Sequence, residues 1–134
     1  MSAADAFFDT NVLLYLLSGD AAKANRAEEI IASGGVVSVQ VLNEFAAVGV
    51  RKLALRIRDI REILSVVRAV CNVTPVDLET HDLGLDLAER HRFSIYDALI
   101  VAAALRARCT VLHTEDLQDN QKIERLTIRN PFIA

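Results

Sequence analysis

Ala6-Phe7-Phe8-Asp9-Thr10-Asn11-Val12-Leu13-Leu14-Tyr15-Leu16-Leu17 is the stretch that decides the fold. Three apolar residues predict a short buried strand, three polar ones a turn, and Val12 to Leu17 the apolar start of a helix. A strand that passes at once into a helix is the opening unit of an α/β sheet, with Asp9 at the strand's carboxyl end. In open sheets of this kind that edge is where ligands bind.

Outward from this stretch the alternation continues. Asp20 to Ala32 reads as an amphipathic helix ended by Gly34-Gly35, and Val36 to Val39 as a β-branched strand. Val41 to Arg51 reads as a helix with Val41, Leu42, Phe45 and Val48 on its apolar face. Leu53, Ile57, Ile60, Leu64 and Val67 recur at spacings of four and three and predict one long amphipathic helix. A short strand around Asn72 to Thr74 is closed by Pro75, and His81 to Arg92 and Ile95 to Arg108 are helices joined at Phe93-Ser94. Thr110 to His113 is a strand, Glu115 to Asn120 a polar loop, and Thr127 to Arg129 a last short strand. The class is therefore α/β with a mainly parallel sheet. No repeat or linker interrupts the 134 residues, so a single domain over 1–134 is expected.

Composition agrees. At 52% hydrophobic with five Gly and two Pro, the chain is neither disordered nor collagen-like. It has no Trp and 5% aromatic residues, so the core must be built from Ala, Val, Leu and Ile, which suits helices packed on a buried sheet. Met1 to Phe8 lacks a basic region and carries Asp5, unlike a secretory signal. The longest uncharged apolar run, Ala98 to Leu105, is far shorter than the roughly 20 residues that span a membrane. A soluble, cytoplasmic protein with no membrane partner is expected. Cys71 and Cys109 have neither zinc nor disulfide spacing and read as core thiols.

Four acids stand where acids are usually avoided. From Ile95 to Leu105 every residue but Asp97 is apolar, so an ionised carboxylate there needs compensation. A capping box over Ser94-Ile95-Tyr96-Asp97 is one way to supply it, and a metal ion is another. Glu44 lies at the margin of the apolar stripe of its helix, where a snorkelling surface residue is the ordinary reading. Asp9 reads singly as a helix N-cap, and Asp116 and Asp119 as turn acids. Together they read differently. Asp9 and Asp116 follow strands, Glu44 and Asp97 fall in the first two turns of helices, and parallel strands bring those points to one edge. Clustered carboxylates stay ionised only beside a counter-charge, and Mg²⁺ or Mn²⁺ with oxygen ligands supplies it. Such a site suits phosphoryl chemistry.

The same segments resemble a known family. Asp9-Thr10-Asn11-Val12-Leu13-Leu14, Asn43-Glu44-Phe45, Tyr96-Asp97-Ala98-Leu99-Ile100-Val101-Ala102-Ala103-Ala104 and Thr114-Glu115-Asp116-Leu117-Gln118 look like the ordered blocks of PIN domains. More narrowly, they resemble the VapC toxins of VapBC toxin–antitoxin pairs, from about Phe8 to the end of the chain. The resemblance implies a three-layer α/β/α fold and a Mg²⁺- or Mn²⁺-dependent endoribonuclease. By position it makes Asp9, Glu44 and Asp97 the main acids, with Asp116 as the more variable fourth and Thr10 or Asn11 in support. It also implies a VapB-type antitoxin partner and a toxin homodimer. Relatives often follow Gln118 with His-Gly, whereas Asp119-Asn120 stands here, which leaves open whether Asp119 joins the metal site. The chemistry expected is hydrolysis of an RNA phosphodiester, with Asp9, Asp97 and Asp116 holding metal and Glu44 completing the shell or accepting a proton.

A net charge of −3 at first sets nucleic acid aside as a partner, but a sum ignores placement. Setting aside the four acids turns −3 into +1. Residues Arg51 to Arg68 hold six basic side chains against Asp59 and Glu62, a segment at +4. Arg51, Lys52, Arg56, Arg58 and Arg61 are candidate RNA phosphate contacts, or else an ordinary solvated face. Two other functions share part of the pattern. Asp9 would be the phosphate acceptor of a haloacid-dehalogenase-type phosphotransferase or receiver domain, but Asn11 stands where the first expects an Asp, and neither Lys52 nor Lys122 is well placed. A catalytically silent PIN-like binding module would not need the complete acidic set.

Overall fold

β1 (Ala6–Phe8) runs through the middle of a six-stranded sheet, and its three residues are buried because strands flank it on both sides. The structure is a computed structural model that describes residues 5–133. The part of the N-terminal reading that rests on Met1 to Ala4 lies outside them.

The other strands are β2 (Gly35–Ser38), β3 (Cys71–Thr74), β4 (Val111–His113), β5 (Lys122–Ile123) and β6 (Leu126–Arg129). Their order is β3-β2-β1-β4-β6-β5, parallel throughout except for the antiparallel β5–β6 pair. Six helices flank the sheet: α1 (Thr10–Leu14), α2 (Ala21–Ala32), α3 (Val39–Leu53), α4 (Ile57–Val70), α5 (Leu78–His91) and α6 (Ile95–Arg106). This is the expected α/β class with a mostly parallel sheet. Successive connections leave β1 toward β2 on one side and return to β4 on the other, so the order reverses at the carboxyl end of β1. That crevice is the topological switch point, and Asp9 stands in it.

Local chemistry sets the helix starts. The Ser38 hydroxyl accepts the Val41 N–H at 3.3 Å, so α3 begins at Val39, and the Asp77 carboxylate accepts the Thr80 N–H at 2.9 Å, so α5 begins at Leu78. Gly34 ends α2 with φ 85°, a conformation that glycine adopts without strain. The apolar run of α6 is enclosed from its second turn on, with Ala98 and Ile100 to Leu105 all buried, while Ile95 and Tyr96 at its start are exposed. Gly84 lets α5 close on it, since a Cβ there would lie 2.7 Å from the Leu99 side chain. Cys71 and Cys109 are free and buried, and burial pushes both thiols up to about 11, which makes them poor nucleophiles.

One boundary moves and one strand is additional. The break between the two expected helices falls after Leu53, not before it. Leu53 is the last residue of α3, Ala54 turns left-handed at φ 53°, and the Leu55 N–H closes back on the Gly49 carbonyl at 3.0 Å. Ile60 and Val67 are buried, but Leu53 and Ile57 are 43% and 55% exposed, so the periodic stripe was never one buried face. The basic segment is therefore split across two helices. β5 was not anticipated. It is a two-residue strand held by pairing of Lys122 with Thr127 and Ile123 with Leu126, after which the chain turns at Glu124 with φ 55°.

Candidate metal centre

Asp9 is 5% exposed and caps α1, its Oδ1 accepting the Thr10 N–H at 2.7 Å. Its Oδ2 accepts the hydroxyl of Thr114 at 2.8 Å. β1 and β4 are neighbours with Phe8 level with His113, which puts the residues just beyond both strands side by side. Thr114 is wholly buried and does more than hold Asp9. Its oxygen accepts the side-chain amide of Asn11 at 3.1 Å and the Asp116 N–H at 3.0 Å. Asn11 also donates to Asp116 Oδ2 at 3.1 Å. Of the two residues named for support, Asn11 makes the side-chain link. Thr10 contributes its N–H, and its buried Oγ1 has no partner.

Asp97 arrives from α6. The Ser94 hydroxyl accepts its N–H at 3.2 Å, which is one half of the expected capping box, and the Asp97 carboxylate points into the crevice. Capping and clustering are thus not alternatives here. Carboxylate oxygens of Asp9, Asp97 and Asp116 lie within 4.8 Å of one another.

Glu44 stands half-buried on α3, near enough to raise the Asp9 pKa through its charge. The Gln40 amide donates to Glu44 Oε1 at 2.6 Å and to the Tyr96 carbonyl at 3.2 Å, tying α3 to the first turn of α6. Asp119 is turned elsewhere, its carboxylate accepting the Asn130 N–H at 2.8 Å and the Asn120 amide at 3.2 Å. Thr114 and Gln40 had no role assigned from sequence; alignment of the strand ends would have flagged Thr114.

Electrostatics mark the cluster as uncompensated. The ion pairs among the described residues are Arg26–Glu29, Arg56–Asp59, Arg106–Asp77 and Arg106–Glu79, and none reaches these acids. Burial pushes Asp9 up to about 7 against the lowering effect of its Thr114 and Thr10 hydrogen bonds, and the charges of Asp116 and Glu44 add to the rise. Asp97 is raised by burial, with Asp116 contributing and Ser94 opposing.

Beside the cluster, Val39, Gln40, Asn43, Glu44, Ala47 and Tyr96 line a groove of about 840 Å³. Gln40, Glu44, Ala47 and Arg51 follow at helical spacing, which puts Arg51 on the same face of α3, about 10 Å beyond Glu44. Arg51, Lys52, Arg56, Arg58 and Arg61 are all exposed.

The profile of the PIN domain matches residues 6–124. The chain is a PIN domain. Among solved structures it is similar to a toxin–antitoxin complex from Klebsiella pneumoniae, at 22% identity and TM-score 0.71, over 95% of this chain and 98% of that one. It is also similar to Mycobacterium tuberculosis VapC20, described as a sarcin-ricin loop cleaving toxin, at 20% identity and TM-score 0.68, over 83% and 89%. A third similarity is to Rickettsia felis VapBC2 bound to a DNA fragment from its promoter, at 17% identity and TM-score 0.66, over 93% and 97%. At such identities these neighbours share the fold. No curated protein matches the sequence.

Proposed function

We propose that this PIN domain is a Mg²⁺- or Mn²⁺-dependent endoribonuclease, the toxin of a type II toxin–antitoxin pair. The observation that carries the reading is the convergence of the Asp9, Asp97 and Asp116 carboxylates within 4.8 Å with no cationic side chain paired to them. Asp9, Asp97 and Asp116 offer three hard carboxylate oxygens, a donor set that suits a small divalent ion such as Mg²⁺ or Mn²⁺. The raised Asp9 pKa fits as well, because a buried carboxylate beside other acids is the state that a cation relieves.

Asp9, Asp97 and Asp116 would hold the ion. When bound, it supplies charge stabilisation at the scissile phosphate and lowers the pKa of water. Asp9 is fixed by Thr114 and Thr10, so its two oxygens keep one orientation. Glu44, half-buried and steadied by Gln40, would complete the shell or accept the proton of the attacking water. Attack forms a new P–O bond as the bond to the leaving ribose oxygen breaks. The groove beside Glu44, with Arg51 further along the same face of α3, would accommodate the RNA strand, and the exposed Arg51, Lys52, Arg56, Arg58 and Arg61 are the candidate contacts to its phosphates.

The partner is a VapB-type antitoxin and the toxin is a homodimer in the cytoplasm. In support, two of the similar structures are described as toxin–antitoxin or VapBC assemblies, and no helix among the described residues is long and apolar enough to cross a membrane. An assay of RNA cleavage with EDTA, then with Mg²⁺ restored, tests the reading. Cleavage should stop and return; cleavage indifferent to EDTA would refute the metal assignment.

A further inference from the structure

On the opposite face of the same strand edge lies a second charged cavity, of about 350 Å³, lined by Arg26, Val111, His113, Arg129, Asn130, Pro131 and Ile133. It holds two guanidinium groups and an imidazole, and no acid lines it. Arg129 and His113 are register partners on β6 and β4, so their side chains leave the sheet on one face, while Arg26 reaches them from α2. The Arg129 guanidinium makes no hydrogen bond or ion pair among the described residues. Arg26 spends its Nε on the Pro131 carbonyl at 3.2 Å and its Nη1 on Glu29 at 2.9 Å, which leaves Nη2. The His113 ring is held against Phe8, with centroids 5.6 Å apart, and its buried Nδ1 has no partner. Two guanidinium groups facing one cavity whose lining holds no acid are an arrangement that an oxyanion would complete.

Main-chain bonds place this cavity relative to the acids. The His113 carbonyl accepts the Asp9 N–H at 3.0 Å, and the Arg129 carbonyl accepts the Thr114 N–H at 2.9 Å. The cavity therefore backs directly onto the two residues at the heart of the metal centre. Burial together with the charges of Arg26 and Arg129 holds His113 down to about 4, which agrees with their closeness and keeps the imidazole neutral near pH 7.

We propose that the Arg26, His113 and Arg129 cavity binds a backbone phosphate of the RNA strand, flanking the one at the acidic cluster. This rests on the nuclease reading. Guanidinium groups contact phosphate in planar, bidentate fashion whatever the base, so the cavity would fix the strand's path and not its sequence. Arg26 and Arg129 are exposed, so replacing them leaves the core intact.

The test measures affinity for a single-stranded RNA against KCl concentration in Ca²⁺, alongside cleavage in Mg²⁺. The proteins compared are the native protein, R26Q, R129Q, the double variant, R129K and the control R90Q. If both arginines share one phosphate, R129Q and the double variant should each lower the salt slope by about 0.7, the value for one single-strand contact. R129K should retain the slope, and R90Q should leave it unchanged. Cleavage by R129Q should show raised KM with little change in kcat. Unchanged slopes with normal cleavage would overturn the cavity and leave the nuclease intact. So would an equal fall in R90Q. Binding of inorganic phosphate, or of a polyglutamate peptide, that is lost in R129Q while the RNA slope holds would assign the cavity to free anions or protein carboxylates and overturn the proposal. A native protein that neither binds nor cuts RNA would overturn both readings.

Discussion

The hydroxyl of Thr114 donates to Asp9 Oδ2 at 2.8 Å, and through this bond the ends of β1 and β4 act as one site. The same oxygen accepts from Asn11 and from the Asp116 N–H, so a single buried atom orders three residues of the acidic cluster and its support. Thr114→Val keeps the shape and removes the atom. It should cost about 1–3 kcal/mol by leaving buried groups unpaired. Loss of such an orienting partner should also weaken metal binding by about 10–100-fold. Calorimetric titration with Mn²⁺ and thermal denaturation check both; unchanged metal affinity would show that Asp9 needs no such support.

Asp9 makes stability depend on pH in an unusual direction. Its folded pKa, about 7, lies above its unfolded value near 3.8, so between these pH values the folded protein keeps a proton that the unfolded chain has lost. Stability of the metal-free protein contributed by this group is present below about pH 4 and is lost as pH rises through 7. In EDTA, the Tm of the native protein should fall relative to that of Asp9→Asn across that window, and Mg²⁺ should restore it at the upper end. Parallel Tm curves for the two proteins would remove the electrostatic case for the site.

Replacing Arg56, Arg58 and Arg61 together by Gln should weaken RNA binding and flatten its salt dependence. Arg58 and Arg61 should carry most of the effect, because Arg56 is already engaged with Asp59 at 3.2 Å. Filter-binding at several KCl concentrations would decide; binding identical to the native protein would return this face to ordinary solvation.

The site was more legible in the sequence than the packing around it. Asp97 announced itself as the lone charge in an apolar helix, and Asp9 and Asp116 by falling just after strands, because burial cost and strand alternation are local properties. Thr114 did not, since a threonine after a strand looks like any turn residue until β1 and β4 are known to be neighbours. The exact place of the break between α3 and α4, at Ala54 and not before Leu53, was hidden for a related reason. Hydrophobic spacing runs through it in step, and only the left-handed turn and the exposure of Leu53 and Ile57 show that two helices share the pattern. β5 is two residues long and owes its existence to its partner β6, so no intrinsic signal marks it. Asp119 is the converse case: the sequence left open whether it joins the metal site, and its carboxylate accepts hydrogen bonds from Asn130 and Asn120.

The central claim is that Asp97, with Asp9 and Asp116, makes an RNA-cutting metal site, and single-turnover cleavage of a single-stranded RNA in Mg²⁺ tests it most directly. Asp97→Asn keeps the N–H that Ser94 caps, so it should cost at most about 1 kcal/mol in stability. Its cleavage rate should nevertheless fall by about a hundredfold or more, since removing a ligand should cost at least what removing a ligand's support does. A folded Asp97→Asn protein that cuts RNA at the native rate would contradict the account.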